Sequence, residues 1–262
     1  NNWLQFGYNL VTIFAYIIEK TVLRIFPQKF FQNLLTWSEL HVIQYGCNTK
    51  ATRCPSYSGR HILKRRITMY LEKINSPSDI KKLSVDEMKK LTQEMRDALI
   101  FKLSRHGGHC GPNLGFAEAT GALHYVFDSP TDKIVFDVSH QTYCHKMLTG
   151  RKDGFLYEEH FDDISGYSNP AESEHDFFVI GHTSTSISLA LGLAKARDLK
   201  HESGNVIAVI GDGSLSGGEA LEAIDYAGEF DGNLIIIIND NEMSIAENHG
   251  GMYKNLKALR EG

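Results

Sequence analysis

Two apolar runs, each ending in a polar cluster, constrain this chain more than any other feature. The first run, Val206 to Ile210, is rich in β-branched residues and stops at Gly211-Asp212-Gly213. Such a run is typical of a parallel strand that is buried on both faces. Two glycines around an aspartate let the backbone turn sharply and approach a ligand closely. With Ser214 opening a helical pattern, the stretch predicts an anion site at a strand–turn–helix junction.

A second run, Leu234 to Ile238, leads to Asn239-Asp240-Asn241. Adjacent parallel strands end at the same edge of a sheet, so we expect Asp212 and Asn241 to converge there. A carboxylate oxygen and an amide oxygen, with phosphate oxygens completing the shell, suit Mg²⁺. The pair therefore predicts a binding site for a metal-bound diphosphate.

Two other interpretations of the first turn stay open from the residues alone. Gly211, Gly213 and Ser216 nearly match the dinucleotide-binding fingerprint, although that pattern is weakly specific. An aspartate between the glycines would also repel a pyrophosphate unless a metal intervened. The second alternative is a tight turn that carries no ligand.

The amino-acid sequences of both clusters resemble those of the 1-deoxy-D-xylulose-5-phosphate synthases, a family of thiamine diphosphate enzymes. The residues that carry the resemblance are GDGSLSGGEALEAIDYAG and NDNEMSIAEN. It implies that Asp212, Asn241 and the Met243 carbonyl hold Mg²⁺. It also implies that the diphosphate rests on Gly213 and Ser214, with Asn241 contacting cofactor and metal together.

The glycine-rich segment RHGGHCGPNLG, residues 105–115, matches another family motif. A histidine of near-neutral pKa suits proton transfer, and the resemblance implies that His109 faces the substrate in a catalytic role. The residues that follow, from Cys110 to Asn113, differ from the small residues of many family members.

A predicted strand from Lys133 to Val138 leads to His140, which the resemblance makes a cofactor contact and a catalytic residue. Another predicted strand, Phe177 to Ile180, leads to a hydroxyl-rich helix start. Free N–H groups there predict a phosphate site, and an ordinary N-cap is the alternative. The cofactor contacts that the resemblance implies at this point are Gly181, His182 and Thr183. A basic group formed by His145, Lys146 and Arg151 is predicted to be solvated, with phosphate attraction as the alternative.

Strands and helices alternate along the chain, and the polar clusters follow strands or precede helices. Further helices are predicted from the Ser84 N-cap to about Ser104, over 116–127 and over 187–199, with a long mobile loop or lid over 151–175. This order predicts an α/β fold with a parallel sheet flanked by helices. The resemblance implies the diphosphate-binding module of thiamine diphosphate enzymes.

Composition excludes several classes of partner. The 262 residues carry a net charge of −5, so no basic field favours nucleic acid. Glu19, Lys20 and Arg24 interrupt the apolar run from Leu10 to Phe26, which excludes an uncharged membrane span. The four cysteines form no regular framework and fit no usual zinc spacing. Free thiols in a reducing cytoplasm are therefore expected.

Residues 1–68 do not resemble the family and are left unassigned. A targeting extension, a fused helix and translated sequence upstream of Met69 are the alternatives, and the last is favoured. Residues 69–262 are predicted to form the diphosphate domain, with the pyrimidine domain missing and the piece inactive alone.

The resemblance implies a transferase that joins pyruvate to glyceraldehyde 3-phosphate with loss of CO₂. The product feeds isoprenoid and thiamine biosynthesis, and the full-length enzyme is expected to be a homodimer. The alternatives are half of a transketolase-type ketol transferase and a noncatalytic thiamine diphosphate binding module.

Overall fold

The computed structural model describes residues 12–16, 70–240, 243–244 and 246–261. The strands are β1 (Thr12–Tyr16), β2 (Lys133–Phe136), β3 (Val206–Gly211), β4 (Ile235–Asp240), β5 (Met243–Ser244) and β6 (Ala246–Glu247). The α-helices are α1 (Pro77–Ile80), α2 (Val85–His106), α3 (Gly111–Gly115), α4 (Ala117–Val126), α5 (Tyr143–Lys146), α6 (Asp153–Leu156), α7 (Ser186–Leu199), α8 (Asp212–Leu215), α9 (Gly218–Glu229) and α10 (Gly251–Glu261).

The main sheet has the order β1-β4-β3-β2, in which β2, β3 and β4 are parallel. Strand β1 pairs with β4 in the antiparallel direction, an edge that the sequence pattern did not predict. Strands β3 and β4 lie in a register that pairs Gly211 with Asn239. The predicted parallel sheet is thus confirmed, and both polar clusters follow strands that end side by side.

Helices cover both faces of the sheet because the strand residues alternate between two apolar cores. Val206, Ala208 and Ile210 pack with residues of α7 and α9 on one face. Ile207 and Val209 pack on the other face with residues of α4. Burial on both faces explains why these strands read as continuous apolar runs.

Helix α2 begins where the capping pattern predicts. The Ser84 Oγ accepts the backbone N–H of Glu87 at 3.4 Å, and the Glu87 carboxylate accepts the Ser84 N–H at 2.8 Å. The apolar side of the helix, which includes Leu91, Met95 and Leu99, lies in a third core together with residues of α5 and α6.

The predicted strand over Phe177–Ile180 is wrong. This segment forms no ladder among the described residues, and Val179 is 79% exposed. Only Ile180 is buried, and its carbonyl accepts the Ser139 hydroxyl at 3.1 Å.

The predicted loop over 151–175 contains helix α6 and a 3₁₀ turn, Glu158–Asp163. Most predictions for the first 68 residues lie outside the described residues, as do two of the four cysteines, Cys47 and Cys54. Within the described part of the chain, no helix has the length and hydropathy needed to cross a membrane.

Candidate functional site

Two carboxyl groups lie at the ends of β3 and β4. Asp212 is 3% exposed and Asp240 is 8% exposed. The pKa of Asp212 is raised to about 6, mainly by burial and secondly by repulsion from the Asp240 carboxylate. Two buried acids at one sheet edge make the ionised state of Asp212 costly, and a cation at this position would offset that cost.

Asn248 contacts the same carboxylate, which the sequence analysis did not predict. Its Nδ2 donates to Asp212 Oδ2 at 2.6 Å, and its Oδ1 is buried without a hydrogen-bond partner among the described residues. Asn241, the predicted second metal ligand, lies outside the described residues. Met243, whose backbone carbonyl is the third predicted ligand, begins the short strand β5. Among the predicted ligands, Asp212 is therefore the one whose side chain is described. No group of three or more metal-binding side chains occurs in the described part of the chain.

Gly213 and Ser214 lie in the first turn of α8, directly after the strand. The Ser214 carbonyl accepts the Ser184 hydroxyl at 2.6 Å, which ties this turn to the segment before α7. A Cβ atom on Gly217 would lie 2.0 Å from Ser184 Oγ, so a larger residue would displace that hydroxyl. The glycine allows the two segments to approach each other at the sheet edge.

The start of α7 is not a free phosphate site, which corrects the sequence-based prediction. The carboxylate of Asp137 accepts the N–H groups of Ser184, Thr185 and Ser186 at 2.8–3.0 Å. Asp137 is 1% exposed and lies just beyond β2. The alternative, an ordinary N-cap by the local hydroxyls, is not observed either, because the Thr185 side chain forms no capping hydrogen bond. The capping carboxylate instead comes from the residue that follows β2, which no local pattern could indicate.

The three predicted cofactor contacts before this helix, Gly181, His182 and Thr183, are all exposed. They are therefore accessible to a ligand, although the N–H groups that follow them are already satisfied. Their contact with a cofactor stays a prediction.

His109 and His140 lie together, as a shared site requires. Their ring centroids are 5.5 Å apart and the rings are nearly perpendicular, at 86°. Burial lowers the pKa of both histidines, and repulsion from a charged His109 lowers the pKa of His140 further. Both rings are therefore neutral near pH 7 and available as hydrogen-bonding groups.

Unsatisfied polar atoms beside these rings test whether the site fits a polar cofactor. His140 Nδ1 and Gln141 Oε1 are buried and have no hydrogen-bond partner among the described residues. Buried polar groups are normally paired. This spare capacity fits a ligand with its own donors and acceptors, as thiamine diphosphate has.

The basic group after His140 is neither solvated nor free to bind phosphate, contrary to both sequence-based interpretations. Lys146 is fully buried and its Nζ lies 2.6 Å from Glu172 Oε2. Arg151 and His145 both bond to Asp176, at 2.7 Å and 3.0 Å. The two acids lie more than 20 residues further along the chain, so only the fold brings these charges together.

The buried histidines of this network predict a loss of stability in mild acid. His124 Nε2 lies 2.8 Å from His145 Nδ1, and both rings are buried. Burial lowers the pKa of both, and for His124 the nearby His145, His175, Arg151 and Lys81 charges add to this effect. The unfolded chain therefore binds protons first, and stability falls as pH drops below about 6.5, by up to ~1.4 kcal/mol per pH unit for each histidine.

Urea denaturation at pH 7.5 and 5.5 measures this loss, and His124→Gln, which can still donate to His145, is expected to reduce it by about half. Comparing variant with parent removes the opposite effect of Asp212, whose raised pKa favours the folded state as pH falls. An equal loss in both proteins would contradict the assignment to His124.

Comparison with known proteins identifies the family of this chain. The sequence profile of the family described as 1-deoxy-D-xylulose-5-phosphate synthase matches residues 71–262. The chain is 53% identical over 193 residues to the 1-deoxy-D-xylulose-5-phosphate synthase of Dictyoglomus turgidum, covering 74% of this chain and 31% of that protein. It is 54% identical over 190 residues to the protein of that name from Caldanaerobacter subterraneus, covering 72% and 30%.

The relative from Heliobacterium modesticaldum, which has the same name, is 51% identical over 194 residues, covering 74% of this chain and 30% of that protein. The chain thus spans about a third of the length of these relatives. The matched region contains both strand ends, the two histidines and the buried ionic network. Since the family profile extends over most of the chain, the chain belongs to the 1-deoxy-D-xylulose-5-phosphate synthase family.

Proposed function

We propose that this chain provides the diphosphate-binding part of a 1-deoxy-D-xylulose-5-phosphate synthase. Such an enzyme condenses pyruvate with glyceraldehyde 3-phosphate, releases CO₂ and supplies isoprenoid and thiamine biosynthesis. The observation that carries the proposal is the pairing of Gly211 with Asn239, which brings the Asp212 turn next to the end of β4 at Asn239 and Asp240. Curated relatives that are 51–54% identical bear the same enzyme name.

In this proposal, Asp212, Asn241 and the Met243 carbonyl hold Mg²⁺. The burial of Asp212 beside Asp240 supports a cation at this position. Gly213 and Ser214 support the diphosphate, because their turn begins a helix at the strand end and remains partly accessible.

Thiamine diphosphate, when bound, supplies the electron sink for the carbanion chemistry. The chain itself binds and orients the cofactor and positions protons. His140, whose Nδ1 lacks a partner among the described residues, contacts the cofactor, together with Gly181, His182 and Thr183. His109, at a ring distance of 5.5 Å from His140, faces the substrate. The active protein is a cytoplasmic homodimer, and residues 69–262 form its diphosphate domain.

A chimeric enzyme tests the proposal directly. The matched 193-residue segment of the Dictyoglomus turgidum relative is replaced by the corresponding segment of this chain. We expect formation of 1-deoxy-D-xylulose 5-phosphate and CO₂ that requires pyruvate, glyceraldehyde 3-phosphate, thiamine diphosphate and Mg²⁺. Product analysis by mass spectrometry also separates this reaction from ketose phosphate cleavage. A folded chimera that binds the cofactor but forms no product would contradict the proposed activity.

A further inference from the structure

The imidazole of His109 lies between two tyrosine hydroxyls. Tyr143 Oη lies 3.3 Å from His109 Nδ1, and Tyr167 Oη lies 3.5 Å from His109 Nε2. Tyr143 is 5% exposed, whereas Tyr167 is 37% exposed. The ring therefore directs Nδ1 into the protein and Nε2 towards the accessible side.

The backbone fixes the hydrogen-bonding roles at Tyr143. The backbone N–H of His109, which can only donate, points to Tyr143 Oη at 3.4 Å. The hydroxyl oxygen accepts this bond, and its own hydrogen needs an acceptor. Among the described residues, His109 Nδ1 is the remaining hydrogen-bond partner of that hydroxyl. A proton on Nδ1 would leave the hydroxyl hydrogen without an acceptor in the described part of the chain.

Asn113 holds Tyr143 and both histidine segments in one arrangement. This side chain is 1% exposed. Its Nδ2 donates to the His109 carbonyl and to the His140 carbonyl, each at 2.7 Å. Its Oδ1 accepts the Tyr143 backbone N–H at 2.8 Å. Two of these three contacts join segments that are 27 and 30 residues apart in the chain. Asn113 therefore fixes the Tyr143 backbone relative to the segments that carry both histidines.

Gly108 leaves room for the tyrosine hydroxyl. A Cβ atom at this position would lie 2.8 Å from Tyr143 Oη and 2.7 Å from Leu103 Cδ2. The residue also has a φ of +128°, which side chains rarely adopt. The approach of Tyr143 to His109 therefore depends on glycine at residue 108.

We propose that Tyr143, held in place by Asn113, is a positioning residue that keeps His109 in its Nε2–H tautomer. The ring then presents a hydrogen-bond donor, not a proton acceptor, to a carbonyl or alkoxide oxygen of the substrate. The hydrogen bond at one imidazole nitrogen determines which nitrogen carries the proton. The role of His109 towards the substrate rests on the proposed function, whereas the tautomer of its ring does not.

Nuclear magnetic resonance of the chain labelled with ¹⁵N-histidine tests the tautomer without any activity measurement. The signals of His109 are assigned by their loss in His109→Gln. At pH 8 we expect a protonated Nε2 and an unprotonated Nδ1. Tyr143→Phe keeps the buried ring but removes the donor to Nδ1, and this should populate the Nδ1–H form. Loss of a bond to the neutral imidazole should also raise the pKa of His109 by about 0.5 or more.

Tyr167→Phe is the matched control, because it removes the hydroxyl at the other nitrogen of the same ring. That hydroxyl faces an N–H which is present in both the neutral and the charged ring, so no rise in the pKa of His109 is expected. Asn113→Ser provides a second route, since it releases Tyr143 without altering it. We expect Asn113→Ser to increase the Nδ1–H form, and this variant decides the matter if Tyr143→Phe does not fold.

Protonation of His109 at Nδ1 in the parent chain would overturn the proposal. An unchanged tautomer and pKa of His109 in a folded Tyr143→Phe or, failing that, Asn113→Ser chain would overturn it as well. Either result in a chain that still binds thiamine diphosphate rejects the positioning role alone. Failure of the chimeric enzyme, in contrast, rejects the proposed function and leaves the tautomer as measured.

Discussion

Asp212→Asn is expected to abolish metal-dependent binding of thiamine diphosphate while stabilising the ligand-free chain. The substitution removes the carboxylate proposed to bind Mg²⁺, and loss of a direct metal ligand should weaken cofactor affinity by more than about 100-fold. The same change removes a buried charge that faces Asp240, and burial and this repulsion raise the pKa of Asp212 to about 6. The ligand-free chain should gain roughly 1 to 3 kcal/mol in free energy of unfolding.

Isothermal titration calorimetry with and without Mg²⁺ measures the first effect, and urea denaturation measures the second. Asp225→Asn, on the exposed side of α9, is the control because it makes the same change of charge away from the site. Both properties should stay unchanged in that variant. Retention of metal-dependent binding by Asp212→Asn would exclude Asp212 as a metal ligand.

Asp176→Asn is expected to cause the largest loss of stability. Asp176 accepts hydrogen bonds from His145, from both terminal nitrogens of Arg151 and from the Asn169 backbone N–H, at 2.7–3.0 Å. These contacts hold the pKa of its carboxyl well below the usual range despite burial. Removing one member of a buried ion pair leaves the other charge uncompensated and typically costs about 3–5 kcal/mol.

An exposed pair of the same chemistry provides the control. His160 Nδ1 lies 2.7 Å from Asp163 Oδ2, and both side chains are largely solvated. Asp163→Asn should therefore change the free energy of unfolding by less than about 1 kcal/mol. Urea denaturation of both variants at pH 7.5 provides the comparison, and equal effects would show that burial does not set the strength of the Asp176 contacts.

The segment that Asp176 anchors also reaches the candidate site. Glu172 accepts the Ser165 backbone N–H at 2.8 Å, and the Ser168 N–H donates to Ser139 Oγ at 2.9 Å. Tyr167, between these anchors, contacts the His109 ring at a centroid distance of 5.2 Å. The segment predicted as a mobile lid is thus fixed at several points, and loss of Asp176 should disturb the surroundings of His109 as well as stability.

Much of the α/β layout was predictable because local patterns encode it. Continuous apolar runs identified β3 and β4, since both of their faces are buried. The Ser84 capping box identified the start of α2. The run over 177–180 failed as a strand because its apolar residues matched the pattern but its backbone partners were missing. Strand formation depends on a neighbouring edge, which one segment of sequence does not specify.

The sequence by itself determined which residues reach the sheet edge: two apolar strand runs that point in the same direction place Asp212 and Asp240 at their ends. Only the tertiary structure decided which groups they meet. Asp137, just beyond β2, caps α7, Asn113 joins two histidine segments, and Asp176 neutralises Arg151 across 25 residues of chain. Hydrogen bonds and ion pairs act over a few ångströms between groups that are distant in sequence, so no local pattern records them.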